Sequence, residues 1–103
     1  MPALVVLFNL KTEADRAAYE EWARTTDVPT VKGLKSIDDF RVYRMNAVMG
    51  SDGKPPYQYC EVIDINDMDG LGPELETATM QRVAGEFQAF ADGPIFVVSD
   101  QIA

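Results

Sequence analysis

The sequence predicts an α+β domain built in the order βαββαβ, with four antiparallel strands under helices on one face. Three observations predict it. Short runs rich in Val, Ile, Phe and Tyr read as strands, and two intervening stretches carry apolar residues at helical spacing. Between the two central strands, Gly50-Ser51-Asp52-Gly53-Lys54-Pro55-Pro56 reads as a hairpin loop. Two right-handed crossovers joined by a hairpin produce such a sheet.

Leu4-Val5-Val6-Leu7-Phe8 is the first strand, ending near Asn9. Thr12 caps the following helix, and Glu13 and Asp15 favour the positive end of its dipole. Ala14, Ala18 and Trp22 recur every four residues, flanked by Ala17 and Tyr19, and predict an amphipathic helix over 13–24. Thr25-Thr26-Asp27 stops it, with Asp27 capping a short helical turn through Pro29 that ends at Gly33. From Ser36 to Ala47 the chain alternates as a strand. Phe40, Val42, Arg44 and Asn46 face one way; Asp39, Arg41, Tyr43 and Met45 face the other. The third strand runs from Tyr57 to Ile65, and 66–73 reads as a loop or irregular turn. Met80, Val83, Ala84, Phe87, Phe90 and Ala91 fit the second helix, which Gly93-Pro94 ends. Ile95-Phe96-Val97-Val98-Ser99 begins the last strand.

The chain has 103 residues, the size of one domain spanning 1–103. Half of every strand would face away from the helices, and those positions carry Val, Ile, Tyr and Met. A second copy packed sheet against sheet, closing a dimeric barrel, is the expected cover. Seventeen acidic residues against nine basic ones give a net charge of −8, which disfavours nucleic acid and anionic membrane surfaces as partners. No apolar run approaches the ~20 residues of a membrane span. No basic region precedes the first apolar run, so a secretory signal is not expected and the cytoplasm is.

The missing residue types narrow the chemistry. With no histidine and a lone Cys60, the chain has no Ser-His or Cys-His pair, no Cys-rich zinc site and no internal disulfide. Neither GxxxxGK[ST] nor a strand-to-helix GxGxxG occurs. No cofactor and no metal are therefore expected. Any catalysis falls to carboxylates, phenols and arginines.

Glu61 is the informative position. It lies inside a strand whose alternation puts Tyr57, Tyr59, Glu61, Ile63 and Ile65 on one face. A carboxylate there is either neutralised by a partner or poised to handle a proton. A symmetric hairpin sets 44 opposite 59 and 42 opposite 61. Arg44 and Glu61 are then diagonal neighbours, either as a structural ion pair or as an oxyanion binder beside a proton shuttle. Tyr59 could donate to a substrate carbonyl from the same face, or simply fill the core. Tyr19 and Trp22 would roof the pocket and stack on a planar ligand, although such a helix face also serves as plain core. Asn46 and Asn9 could orient a substrate or serve turns. Cys60 points to the opposite face as a structural thiol.

Trp22…Asp27-Val28-Pro29 followed by Phe40-Arg41-Val42-Tyr43-Arg44 resembles the ferredoxin-like dimeric α+β barrel superfamily, which includes EthD-like, stress-responsive barrel and antibiotic-biosynthesis monooxygenase proteins. Tyr59-Cys60-Glu61-Val62-Ile63, with Phe87 and a closing strand through Ile102, is similar more specifically to the REDY-like HapK family. Members are associated with prodigiosin-type pigment and other aromatic natural-product pathways. The resemblance implies the fold, a homodimer and a pocket between sheet and helices, but no settled reaction. Many relatives in the superfamily carry a histidine in a Trp-x-x-x-x-His-x-Pro segment. Here that place holds Asp27, so a mechanism through that histidine does not carry over.

The expected function is a small-molecule pocket protein acting on an aromatic metabolite. Glu61, Arg44 and Tyr59 would be the catalytic set, with Tyr19, Trp22 and Asn46 binding substrate. Cofactor-free isomerisation or cyclisation is the leading reaction class, with cofactor-independent oxygenation behind it. A non-catalytic dimeric binding or scaffold protein is the alternative. A nucleic-acid binder is disfavoured by charge.

Overall fold

A computed structural model describes residues 2–103. The strands are β1 (Pro2–Leu10), β2 (Ile37–Arg44), β3 (Tyr59–Ile65) and β4 (Ala91–Asp100). They form one antiparallel sheet in the order β2-β3-β1-β4, the ferredoxin-like arrangement. The expected hairpin register holds: Arg44 lies opposite Tyr59 and Val42 opposite Glu61. Alternation sends Val6, Phe8, Phe40, Tyr59, Glu61, Ile63 and Ile65 beneath the helices, where all are buried. Phe8 anchors this layer. Its ring stacks on Tyr59 at 5.5 Å and meets Tyr19 and Phe87 edge-on at 5.5 and 5.0 Å.

The first helical segment differs from expectation in length and in its buried face. Thr12 does cap it, its hydroxyl accepting from the Ala14 amide at 3.4 Å over a 3-10 turn (Glu13–Asp15). The helix does not stop at Thr25. It runs from α1 (Arg16–Trp22) through a π turn (Ala23–Asp27) into α2 (Val28–Lys32). Two local features widen that turn. Pro29 has no N–H to donate back to Thr25, and the Thr25 hydroxyl donates to the Glu21 carbonyl at 2.8 Å. The Val28 amide consequently reaches five residues back, to Ala23.

Ala14 and Ala18 are exposed and Trp22 is half-buried, whereas Tyr19, Ala23, Asp27 and Val31 form the buried stripe. Steps of four drift by about 40° each on a regular α-helix. The wider π turn absorbs part of that drift, so Asp27 remains on the inner face. It makes no side-chain capping bond.

Residues expected as a loop after β3 instead form α3 (Met68–Leu75), capped by Asp67, whose carboxylate accepts from the Gly70 amide at 3.0 Å. Gly70 leaves room for this cap: a Cβ there would stand 2.5 Å from an Asp67 oxygen and 2.9 Å from the Ser36 hydroxyl, so both side chains would have to shift. Pro73 lies inside α3. Thr77 caps α4 (Ala78–Phe90), which buries Met80, Val83 and Phe87. β4 begins at Ala91, earlier than the Gly93-Pro94 break suggests. Gly93, at φ +55°, accompanies the register shift between Leu7 and Asn9 of β1.

The second sheet face has no cover among the described residues. Tyr43, Ile95 and Val97 stand 50%, 44% and 41% exposed on it, beside half-buried Val5, Leu7, Cys60 and Val62. No described helix is long and apolar enough to cross a membrane.

Candidate functional site: a carboxyl pair in an apolar cavity

Between the sheet and the helices lies a half-open cavity of about 360 Å³. Its walls are aliphatic and aromatic: Leu4 and Phe96 from β1 and β4, Phe40 and Ile63 from β2 and β3, Val31 from α2, Leu71 from α3, and Val83 and Phe87 from α4. The polar lining side chains are Asp27, Glu61, Gln81 and Gln88, and no Lys or Arg lines it. Both glutamines lie on exposed positions of α4, whereas Asp27 and Glu61 are only 5% and 4% exposed.

Glu61 is delivered by β3, between Val6 of β1 and Val42 of β2. Asp27 descends from the π turn. The Tyr19 hydroxyl donates to Glu61 Oε2 across 3.4 Å, a long contact. Burial pushes the Glu61 carboxyl up to about 8, the nearby Asp27 charge adds to the rise, and the Tyr19 bond opposes it. Burial alone pushes Asp27 up to about 7. Burial, with the negative charges of Glu61 and Asp27, also drives the Tyr19 phenol upward, so it stays a donor. The two acids titrate as a pair, since ionising one opposes ionising the other. Near neutral pH the pair holds protons that ordinary carboxyls have lost, so one member can give a proton while the other accepts one.

Arg44 does not neutralise this pair. Its guanidinium embraces Glu20 of α1, with Nε 2.8 Å from Oε2 and a second nitrogen on Oε1. Glu20 is half-buried and meets the exposed Arg44 head directly, whereas Glu61 is buried in the apolar cavity. The expected diagonal Glu61–Arg44 pair is therefore replaced by a Glu20–Arg44 pair. Tyr59 joins it, its hydroxyl donating to Glu20 Oε2 at 2.7 Å. Tyr19, Glu20, Ala23, Arg24, Val42, Arg44 and Tyr59 line a separate cavity of about 190 Å³.

The other expected binding residues scatter. Trp22 lines neither cavity; its indole donates to Glu86 at 2.9 Å and its ring lies 5.6 Å from Phe90, tying α1 to α4. Asn46 is exposed beyond β2 and lines neither cavity. Asn9 serves the strand end, accepting from the Gln58 amide at 3.0 Å. Cys60 faces away from the helices, and burial raises its thiol.

Asp27 is the site residue that pattern reading treated as a cap. Its signal was present: Tyr19, Ala23, Asp27 and Val31 recur every four residues, and an acid inside an otherwise apolar stripe raises the same question as Glu61.

The described residues contain no cluster of three or more His, Cys, Asp or Glu able to hold a metal ion. Fold and cavity together define a ferredoxin-like α+β domain with an acid-bearing apolar pocket between sheet and helices. The chain belongs to the family described as REDY-like protein HapK, whose profile matches residues 2–102. HapK from Hahella chejuensis is 26% identical, covering 99% of this chain and 93% of its own, with a TM-score of 0.77. A dimeric ferredoxin-like protein of unknown function from Jannaschia sp. CCS1 is 17% identical, with coverages of 97% and 98% and a TM-score of 0.74. An antibiotic biosynthesis monooxygenase is 16% identical over the full length of both chains, with a TM-score of 0.67. No curated protein sequence matches the chain.

Proposed function

We propose that this protein binds a small, largely apolar aromatic metabolite of secondary metabolism in the 360 Å³ cavity and moves protons on it without a cofactor. The supporting observation is the pairing of two buried carboxyls, Asp27 and Glu61, with no cation among the cavity's lining residues. An enolisable or cyclising substrate needs one group to take a proton and another to return it. Such a pair with pKa values near neutrality serves both steps. Membership of the HapK family supports the substrate class. Glu61 and Asp27 are the catalytic residues of this reading, and Tyr19 positions Glu61.

The protein acts as a homodimer in this reading. The apolar outer face of the sheet, with Tyr43, Ile95 and Val97 exposed, supports it, as does the dimeric description of the Jannaschia protein. A non-catalytic carrier is the second reading, favoured by the same apolar walls, which suit a neutral ligand whether or not it reacts.

Native mass spectrometry with a panel of aromatic and pyrrolic metabolites tests binding. Parallel assays with wild type and Glu61→Gln test chemistry. Binding by both proteins with turnover by wild type alone supports catalysis. Binding without turnover by wild type leaves the carrier. Binding by neither removes the cavity from function.

A further inference from the structure

We infer that the smaller cavity between Arg24, Arg44, Tyr19 and Tyr59 is a second binding site, taking the carboxylate of a small aromatic acid. The inference goes beyond the carboxyl-pair cavity and does not depend on it.

Charge is the first argument. Arg16, Glu20 and Arg24 lie four residues apart along the first helical segment, and Arg44 reaches the same carboxylate from β2. Of these, Arg24, Arg44 and Glu20 line the cavity, so its wall carries a net charge of +1 in a chain of net charge −8. An ion pair needs one cation. Arg44 fills that role, and the Arg24 guanidinium, held only by a 3.4 Å contact, is the charge a further anion can meet.

Hydrogen-bond capacity is the second argument. Both oxygens of Glu20 are occupied: Oε1 accepts from Arg24 and Arg44, and Oε2 accepts from Arg44 and Tyr59. The Arg44 bonds hold the Glu20 carboxyl down to about 2, so it stays charged. The guanidiniums are far from saturated. Arg24 makes one contact, at 3.4 Å, whereas it carries five donors. Those spare donors match a second carboxylate, which guanidinium forks bind in two-point fashion.

Shape and lining supply the third. The cavity's other walls are the Glu20 carboxylate, whose charge Arg24 and Arg44 engage, and the rings of Tyr19 and Tyr59 with Val42 and Ala23, a surface for a flat apolar body beside the charge. Its volume of about 190 Å³ is below the range of drug-sized pockets, so the occupant is small. Tyr19 stands between the two cavities, lining this one while its hydroxyl reaches Glu61 in the other.

Calorimetric titration with benzoate and, separately, inorganic phosphate tests the site, with ionic strength held constant by sodium chloride because salt screens such contacts. Wild type is expected to bind benzoate, and Arg24→Gln to weaken that binding about tenfold, as loss of one charged hydrogen bond implies. Arg24 is largely exposed, so the variant should fold, and Arg24→Lys should recover part of the affinity. Glu61→Gln should bind benzoate like wild type. No benzoate binding at concentrations on the order of 10 mM, binding of phosphate but not benzoate, or equal affinity in Arg24→Gln overturns the assignment. Loss of benzoate binding in Glu61→Gln also overturns it, by moving the ligand to the other cavity.

Discussion

Replacing Glu61 by Gln should change how stability depends on pH more than it changes the fold. The folded protein raises the Glu61 carboxyl from an ordinary value of 4.5 to about 8, chiefly through burial. The native state therefore holds a proton that the unfolded chain releases. Stability associated with this group is fully present below about pH 4.5 and is lost as pH rises toward 8. A tenfold difference in proton affinity between folded and unfolded states corresponds to about 1.4 kcal/mol, so the complete loss is on the order of 5 kcal/mol. Part of that is repulsion from Asp27, which the pair shares. Gln resembles the protonated acid in shape and does not titrate. Urea unfolding at fixed protein concentration, from pH 5 to pH 9, should show wild type losing roughly 1 kcal/mol per pH unit more than Glu61→Gln over the lower part of that range. Above pH 8 the variant should be the more stable protein. Parallel pH profiles, or a variant destabilised equally at every pH, would refute a protonated Glu61 and the proton-transfer chemistry built on it.

Asp27→Asn removes the neighbouring charge, so the Glu61 carboxyl should titrate below its wild-type value of about 8, as followed by carboxyl carbon NMR. An unchanged titration would separate the two acids. Phe8→Ala withdraws the ring that Tyr19, Tyr59 and Phe87 pack against, and should cost about 3–5 kcal/mol in chemical unfolding. Val97→Lys places a charge on the apolar outer sheet face, and light scattering should show the dimer shifting to monomer while far-ultraviolet circular dichroism stays unchanged. A monomeric wild type would end the dimer proposal.

Strand alternation was legible because burial on one sheet face imposes a period of two. It predicts Glu61 on the inner face and Arg44 opposite Tyr59, and both positions hold. Register alone could not say where a long side chain ends. The Arg44 head lies several bonds from its backbone, and Glu20 of a different element captured it. Trp22 lies off the buried stripe for a related reason. Residues 14, 18 and 22 and residues 19, 23, 27 and 31 both recur every four positions, and only the docking of helix on sheet selects between them. Pro29 and Thr25 were visible as a break. That they would widen the helix rather than end it depended on the core holding Ala23 and Val31 in place on either side.

The order of elements, the inner face of each strand, the hairpin register and the isolation of Glu61 among apolar residues were determined by the sequence itself, because they follow from local periodicity and turn chemistry. Tertiary structure decided that Asp27 meets the same cavity as Glu61, and that Arg44 and Tyr59 gather instead around Glu20. The bonds from Arg44 and Tyr59 to Glu20 join residues 24 and 39 positions apart, so no local rule reaches them; they are set by how the first helical segment lies across the sheet.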